Sequence, residues 1–254
     1  MPTQDELVES MINAMDSLEL GNPALNKLAS YLYKADIKLS EYLDDLKIFN
    51  QLKKPTLKET QEAGKLLEQI VLLVFKGLKG VQSIKSFQSA GPQYDLLVSG
   101  DDLPWQNVCK TLYLEWNQRN IVIEAKATKA SVPDKQFARL CSIMDLNLKG
   151  AGLGIFITLN GATGFPKKSG PTRTRKVSDC RLRQILFHAK TNKMIVVLDK
   201  DDISELTKNG TLIEILSRKI RDLFELSGLP TSPAEQFQEI DLPPHLKMLY
   251  YSAS

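Results

Sequence analysis

The chain has 254 residues, 43% of them apolar and 25% charged, with a net charge of +3. That is room for one large domain, or a domain with an appendage, around a core of ordinary size. No apolar run approaches the roughly 18 residues of a membrane-spanning helix. The opening Met-Pro-Thr-Gln-Asp-Glu lacks the basic start and early apolar stretch of a secretory leader. Three scattered cysteines (Cys109, Cys141 and Cys180) argue against a disulfide framework and for a reducing, cytoplasmic setting.

Residues 4–50 are predicted to be helical. Leu7, Met11, Ile12 and Met15, then Leu28, Tyr31 and Leu32, then Leu39, Tyr42, Leu43 and Leu46 recur at helical spacing. Gly21-Asn22-Pro23 separates the first helix from the second, and Lys53-Lys54-Pro55-Thr56 reads as a junction. An apolar helix is expected over 57–76, stopped by Gly77. Alternation predicts a strand over Val81–Phe87 and another over 93–98, after the turn signal Ala90-Gly91-Pro92. Residues 99–107 read as a polar loop, Val108–Trp116 as an extra strand and Ile121–Ala127 as the next strand. A helix over Pro133–Leu148 follows, then Gly150-Ala151-Gly152-Leu153-Gly154 as a connector into a strand over Ile155–Leu159. A basic loop, a helix near 177–192, a strand over 194–198 and short helices near 201–208 and 211–226 complete the series. The tail from Leu229 holds four prolines. The expected organisation is a helical N-terminal region (1–55), a main domain (56–228) and a tail (229–254). The order of elements implies an α/β fold, a mixed central sheet flanked by helices on both faces.

Charge is unevenly spread. Residues 1–50 hold nine acids and four bases, a net of −5; the rest holds 21 acids and 29 bases, a net of +8. A basic main body suits a polyanionic partner, although ordinary solvated surface can carry such a bias.

Two strand-like segments carry chemistry: Tyr94-Asp95-Leu96-Leu97-Val98 and Ile121-Val122-Ile123-Glu124-Ala125-Lys126. Side chains alternate along a strand, so Glu124 and Lys126 share a face and Ala125 points away. Asp95, at the start of a neighbouring strand, could meet them. Two carboxylates and an ammonium at a strand end form a hard-oxygen metal site with a built-in cation, suited to phosphodiester hydrolysis. Neighbouring carboxylates oppose the deprotonation that a lysine base needs, so Lys126 reads as an electrostatic positioning group.

With the blocks Gly64–Glu68, Gly154–Gly161 and Ile195–Asp199, these segments resemble the PD-(D/E)xK nuclease superfamily, the restriction-endonuclease-like fold, and within it the Mrr-like restriction endonuclease branch. The resemblance covers roughly 60–226. It implies that Asp95 and Glu124 ligate Mg²⁺, with Mn²⁺ as a substitute, and that the Ala125 carbonyl joins them. It also implies a metal ligand, often through water, at Glu68; the competing reading is the polar stripe of that helix. Gln136, opening the helix after Glu-x-Lys, is either a contact to the site or a surface glutamine. The implied activity is endonucleolytic cleavage of double-stranded DNA, in bacterial defence against foreign DNA. A homo-oligomer is expected because cutting two strands usually takes two sites, and a partner subunit of a defence complex is a further expectation. A silent nucleic-acid-binding or assembly module on the same fold, and a nuclease acting on RNA or single strands, are the alternatives.

Residues 167–183 hold Lys167, Lys168, Arg173, Arg175, Lys176, Arg181 and Arg183 against one acid, Asp179. Such a loop suits phosphate-backbone contacts, as do Thr128, Lys129 and Ser131 just after Lys126. The glycine run at 150–154 lies between a helix and a strand, the reverse of a dinucleotide-binding turn. With only His188 and His245 and no Cys-x-x-Cys, zinc is not expected. Trp105 and Trp116 read as core or loop anchors.

Overall fold

The computed structural model describes residues 23–87, 94–128, 130–165 and 179–227. The helix expected near 4–20 and the proline-containing tail lie outside them. Asn26–Thr231 form one compact unit. In chain order the elements are α1 (Pro23–Leu32), α2 (Leu39–Gln51), α3 (Leu57–Lys76), β1 (Ser83–Phe87), β2 (Tyr94–Ser99), α4 (Leu103–Thr111), β3 (Asn120–Lys126), α5 (Asp134–Ser142), β4 (Ala151–Thr158), α6 (Asp179–Thr191), β5 (Met194–Leu198), α7 (Lys200–Glu205) and α8 (Thr211–Leu226). The fold is α/β: a five-stranded sheet in the order β1-β2-β3-β4-β5, flanked by helices. β1, β2 and β3 are antiparallel neighbours, whereas β3, β4 and β5 run parallel. Among the described residues no helix is long and apolar enough to cross a membrane.

Two apolar layers sandwich the sheet. Ile121 and Ile123 of β3, with Leu153, Ile155 and Ile157 of β4, face the layer of α1 to α4, α7 and α8. Val122 and Phe156 face the layer of α5 and α6. The strands β4 and β5 are buried along their whole length, as expected of parallel strands covered on both faces. Part of the region expected to stand apart as an N-terminal appendage shares the first layer: Leu32, Tyr33, Leu39, Leu43, Leu46 and Phe49 belong to it. The Tyr33 hydroxyl donates to the Leu206 carbonyl at 2.7 Å, and the Gly210 amide donates to the Tyr33 carbonyl at 2.9 Å.

Three expected elements differ. The strand expected over Val108–Trp116, with the loop before it, is replaced by helix α4. Asp102 caps it by accepting the Trp105 amide at 3.0 Å, and Pro104 sits in its first turn. Trp105, Val108, Cys109 and Leu112 then recur at helical spacing, all buried. The glycine run expected to be a connector instead enters β4. A Cβ at Gly152 would lie 2.3 Å from the Gln118 carbonyl oxygen, and one at Gly154 would lie 2.6 Å from the Met144 sulfur. Those glycines let neighbouring chain approach the strand closely. The helix expected over Pro133–Leu148 is α-helical only to Ser142 and ends in a π turn over Ile143–Asn147. The buried Lys193 ammonium donates to the carbonyls of Met144 and, at 3.3 Å, Leu148, closing that end.

Candidate functional site

The β2–β3 register pairs Leu96 with Ile123, Leu97 with Val122 and Val98 with Ile121. The pairing ends there; continued by one step the same register would set Asp95 opposite Glu124, and Asp95 lies near enough to raise the Glu124 carboxyl. Directly opposed residues share a face, with Cβ atoms about 4.5–5.5 Å apart. On β3 that is the face of Val122, covered by α5 and α6. Lys126 follows on the same face by alternation. The main-chain ladder has opened at this point: the Ala125 amide donates to Asp95 Oδ2 at 2.5 Å. A strand residue offers its N–H and C=O to the same neighbour, so the Ala125 carbonyl also leaves on the Asp95 side. The structure thus brings Asp95, Glu124, Ala125 and Lys126 to one place.

Glu124 is 6% exposed. A buried carboxylate is costly unless paired, and two cations address the same oxygen. Lys126 Nζ lies 2.8 Å from Glu124 Oε1, and an Arg139 terminal nitrogen lies 3.6 Å from it. Burial pushes the Glu124 carboxyl above the usual carboxylate range. Lys126 pulls it back, Asp95 adds to the rise, and Arg139 opposes it. Burial therefore outweighs pairing. Arg139 was not among the sequence-derived candidates, although its place in α5, three residues after Gln136, is the signal that could have found it. Residues three apart on a helix are neighbours.

Glu68 is not brought to this cluster. Helix α3 buries Leu67, Ile70, Val71 and Val74 against the opposite layer, and Glu68 lies on its exposed stripe with Lys65 and Leu72. Among the described residues, no group of three or more histidine, cysteine, aspartate or glutamate side chains could hold a metal ion. Among the described residues, the oxygen groups that meet at this point are the Asp95 and Glu124 carboxylates and the Ala125 carbonyl. Gln136 is exposed on α5, one turn before Arg139.

No match emerges from comparison with protein-family models, curated proteins or solved structures.

Of the basic segment, Lys167, Lys168, Arg173, Arg175 and Lys176 lie outside the described residues, as does Lys129. The two described cations have partners within the fold. Arg183 forms a two-pronged pair with Asp134 at 2.6 and 2.7 Å, tying α6 to α5. Arg181 donates to Gln184 at 2.8 Å and lies 4.8 Å from the Phe165 ring centre. Ser131 donates to the Asn160 carbonyl and Thr128 to the Ala130 carbonyl. A cavity of about 300 Å³ at the C-terminal ends of β4 and β5 is lined by residues including Asn160, Arg181, Lys200, Lys219 and Asp222. Asp95, Glu124 and Lys126 do not line it. His188 is buried and stacks on Phe224 at 5.4 Å between ring centres, a core position. Trp105 is fully buried; Trp116 is exposed beneath the Arg119 guanidinium, 3.2 Å from its ring centre.

Proposed function

We propose that this protein is a divalent-metal-dependent endonuclease hydrolysing phosphodiester bonds of double-stranded DNA, built on a restriction-endonuclease-like fold. The observation that carries the reading is the meeting of Asp95, Glu124 and Lys126 at the end of β3, where Asp95 accepts the Ala125 amide and Glu124 is buried against two cations. A merely structural pair in that position would be a costly way to end a strand.

The donor set fits a hard cation. Asp95 places one carboxylate oxygen on the Ala125 amide, and Lys126 and Arg139 both lie against Oε1 of Glu124. Mg²⁺ keeps several waters and takes one or two carboxylates plus substrate oxygens, so a third acid is not required. Asp95, Glu124 and the Ala125 carbonyl would hold it. When bound it would supply neutralisation of the phosphate and a more acidic water. Lys126 donates hydrogen bonds to the attacking water and to oxygens on which charge develops. The role in defence against foreign DNA and the oligomeric state rest on the resemblance alone.

One observation favours a second reading. Glu124 already has its charge matched by Lys126 and Arg139, as in a silent binding module. Plasmid cleavage in Mg²⁺ or Mn²⁺ separates the two. Metal-dependent nicking, abolished by EDTA, Asp95→Ala and Lys126→Ala, is the expected result. Retained binding without cleavage of duplex DNA, single-stranded DNA or RNA would overturn the nuclease reading. Competition among those three substrates fixes the preferred one.

A further inference from the structure

We propose that the cavity at the C-terminal ends of β4 and β5 is a second binding site, separate from the Asp95, Glu124 and Lys126 cluster, for a small phosphate monoester that carries hydroxyl groups. The ligand is a free small molecule, not a nucleic-acid strand. The inference does not depend on whether the cluster cuts phosphodiesters.

The first support is the place of the cavity in the fold. β4 and β5 are parallel neighbours, and β5 is the edge of the sheet. The chain leaving β4 passes to α6, in the layer of Val122 and Phe156. The chain leaving β5 passes to α7 and α8, in the opposite layer. Parallel strands whose connections depart to opposite faces leave a crevice beyond their carboxyl ends, and open α/β sheets bind ligands there. The cavity lies at that crevice: Asn160 and Gly161 follow β4, and Lys200 and Asp201 follow β5. Its volume of about 300 Å³ is that of a small-molecule pocket.

The second support is an oriented cation in the wall. Gln184 is buried and donates to the Ile195 carbonyl of β5, so its amide oxygen is fixed in direction. That oxygen accepts from Arg181 at 2.8 Å, and the Phe165 ring centre lies 4.8 Å from the guanidinium. Arg181 is thus held on two sides by neutral groups. Burial pulls it below its ordinary pKa, and Asp222 opposes that only through its field. A guanidinium has five N–H donors, so most of its hydrogen-bonding capacity is left for a ligand. Its fork matches a phosphate.

The third support is the division of the remaining charge. Lys219 is committed to the buried Asp202 at 2.7 Å, and Asp199 to the amides of Asp201 and Asp202. Of the lining charges that leaves Arg181 and Lys200 as cations and Asp201 and Asp222 as acids. A phosphate monoester carries about two negative charges at neutral pH, the match of the two cations. Ionised carboxylates only accept, so the acids take hydroxyl donors. A bare anion would be repelled by them, and an uncharged polyol would leave Arg181 unmatched.

The test is calorimetric titration of the full chain with ribose 5-phosphate, adenosine 5′-monophosphate, adenosine and inorganic phosphate. The two organic phosphates should bind more tightly than either adenosine or inorganic phosphate, and the better of the two tells a sugar phosphate from a nucleotide. Arg181→Gln should weaken both by about ten- to a hundredfold, the size of a charge-assisted hydrogen bond. Asp222→Asn, an exposed change that does not threaten folding, should weaken them by about three- to tenfold without weakening inorganic phosphate. Asp95→Ala should bind like wild type, because that carboxylate does not line the cavity. The proposal is overturned if neither organic phosphate binds at about 1 mM, or if both bind no better than inorganic phosphate. It is equally overturned if Asp222→Asn and a folded Arg181→Gln match wild type, or if duplex DNA displaces the bound ligand completely. Failure of plasmid cleavage leaves it standing.

Discussion

Lys126→Met and Glu124→Gln should affect stability in opposite directions. At an effective dielectric constant near 20, charges 2.8 Å apart attract by about 6 kcal/mol. Most of that is offset by taking the carboxylate out of water. Removing the ammonium leaves Glu124 buried with only Arg139 at 3.6 Å. Stranding a buried charge costs about 3–5 kcal/mol. Lys126 is partly exposed and Arg139 remains, so about 2–3 kcal/mol is expected for Lys126→Met at pH 8. Glu124→Gln instead removes the buried charge and frees Lys126 for solvent; it should be neutral or stabilising by about 1 kcal/mol. The pH dependence follows from the upward shift of Glu124. A carboxyl raised in the folded state favours folding most below its unfolded pKa and costs stability as pH rises through the folded value. Loss of Lys126 removes the main lowering influence and raises Glu124 further. The penalty of Lys126→Met should therefore shrink between pH 8 and pH 5. Urea denaturation of wild type, both single variants and the double variant at the two pH values measures this. A penalty equal at both pH values, or a Glu124→Gln cost as large as that of Lys126→Met, would refute the reasoning.

Two further outcomes are expected. Gly154→Ala pushes a methyl group to 2.6 Å from the Met144 sulfur and 3.1 Å from an Ile195 side-chain carbon. It should cost about 1–3 kcal/mol and lower Tm by several degrees in a thermal melt; an unchanged Tm would show that the π turn gives way freely. Burial lowers the pKa of His188 from the ordinary 6.5. Its contribution is present above that value and lost as pH falls through it, because the unfolded chain then binds the proton more readily. His188→Phe should flatten the fall in urea midpoint between pH 7 and pH 5, and an identical fall in both proteins would contradict the assignment.

Much of this architecture is legible in the residues themselves. The run Ile121-Val122-Ile123 marks a strand buried on both faces, and simple alternation then puts Glu124 and Lys126 together. Helix α3 is legible from Thr56 and Glu59, which cap each other reciprocally, and from Gly77 after its last residue. What was missed has physical causes. The α4 segment carries Val108, Cys109 and Leu112 close together, and an apolar cluster of that length reads as strand unless Asp102 and Pro104 are weighed as a helix start. The glycines of β4 look like a loop because a single chain does not show which neighbour presses on them. Glu68 was misplaced for a similar reason: its helix is legible, but the sheet face it covers is decided by packing of the whole unit. Arg139 reaches Glu124 across fifteen residues of sequence, through the docking of α5 that only the fold supplies.

The opposition of Asp95 and Glu124 depends on parity. Slide β2 by one residue against β3 and Leu96 arrives beside Glu124, while every inward side chain of β2 turns outward. Slide it by two and the face returns, but the carboxylates stand about 7 Å apart along the strand. The connection between these strands, carrying α4, is therefore free to change in length over evolutionary time, provided the pairing of Leu96 with Ile123 survives. A lineage could rebuild that whole excursion and keep its chemistry, whereas a single residue inserted into either strand would dismantle the pair of acids without altering one of them.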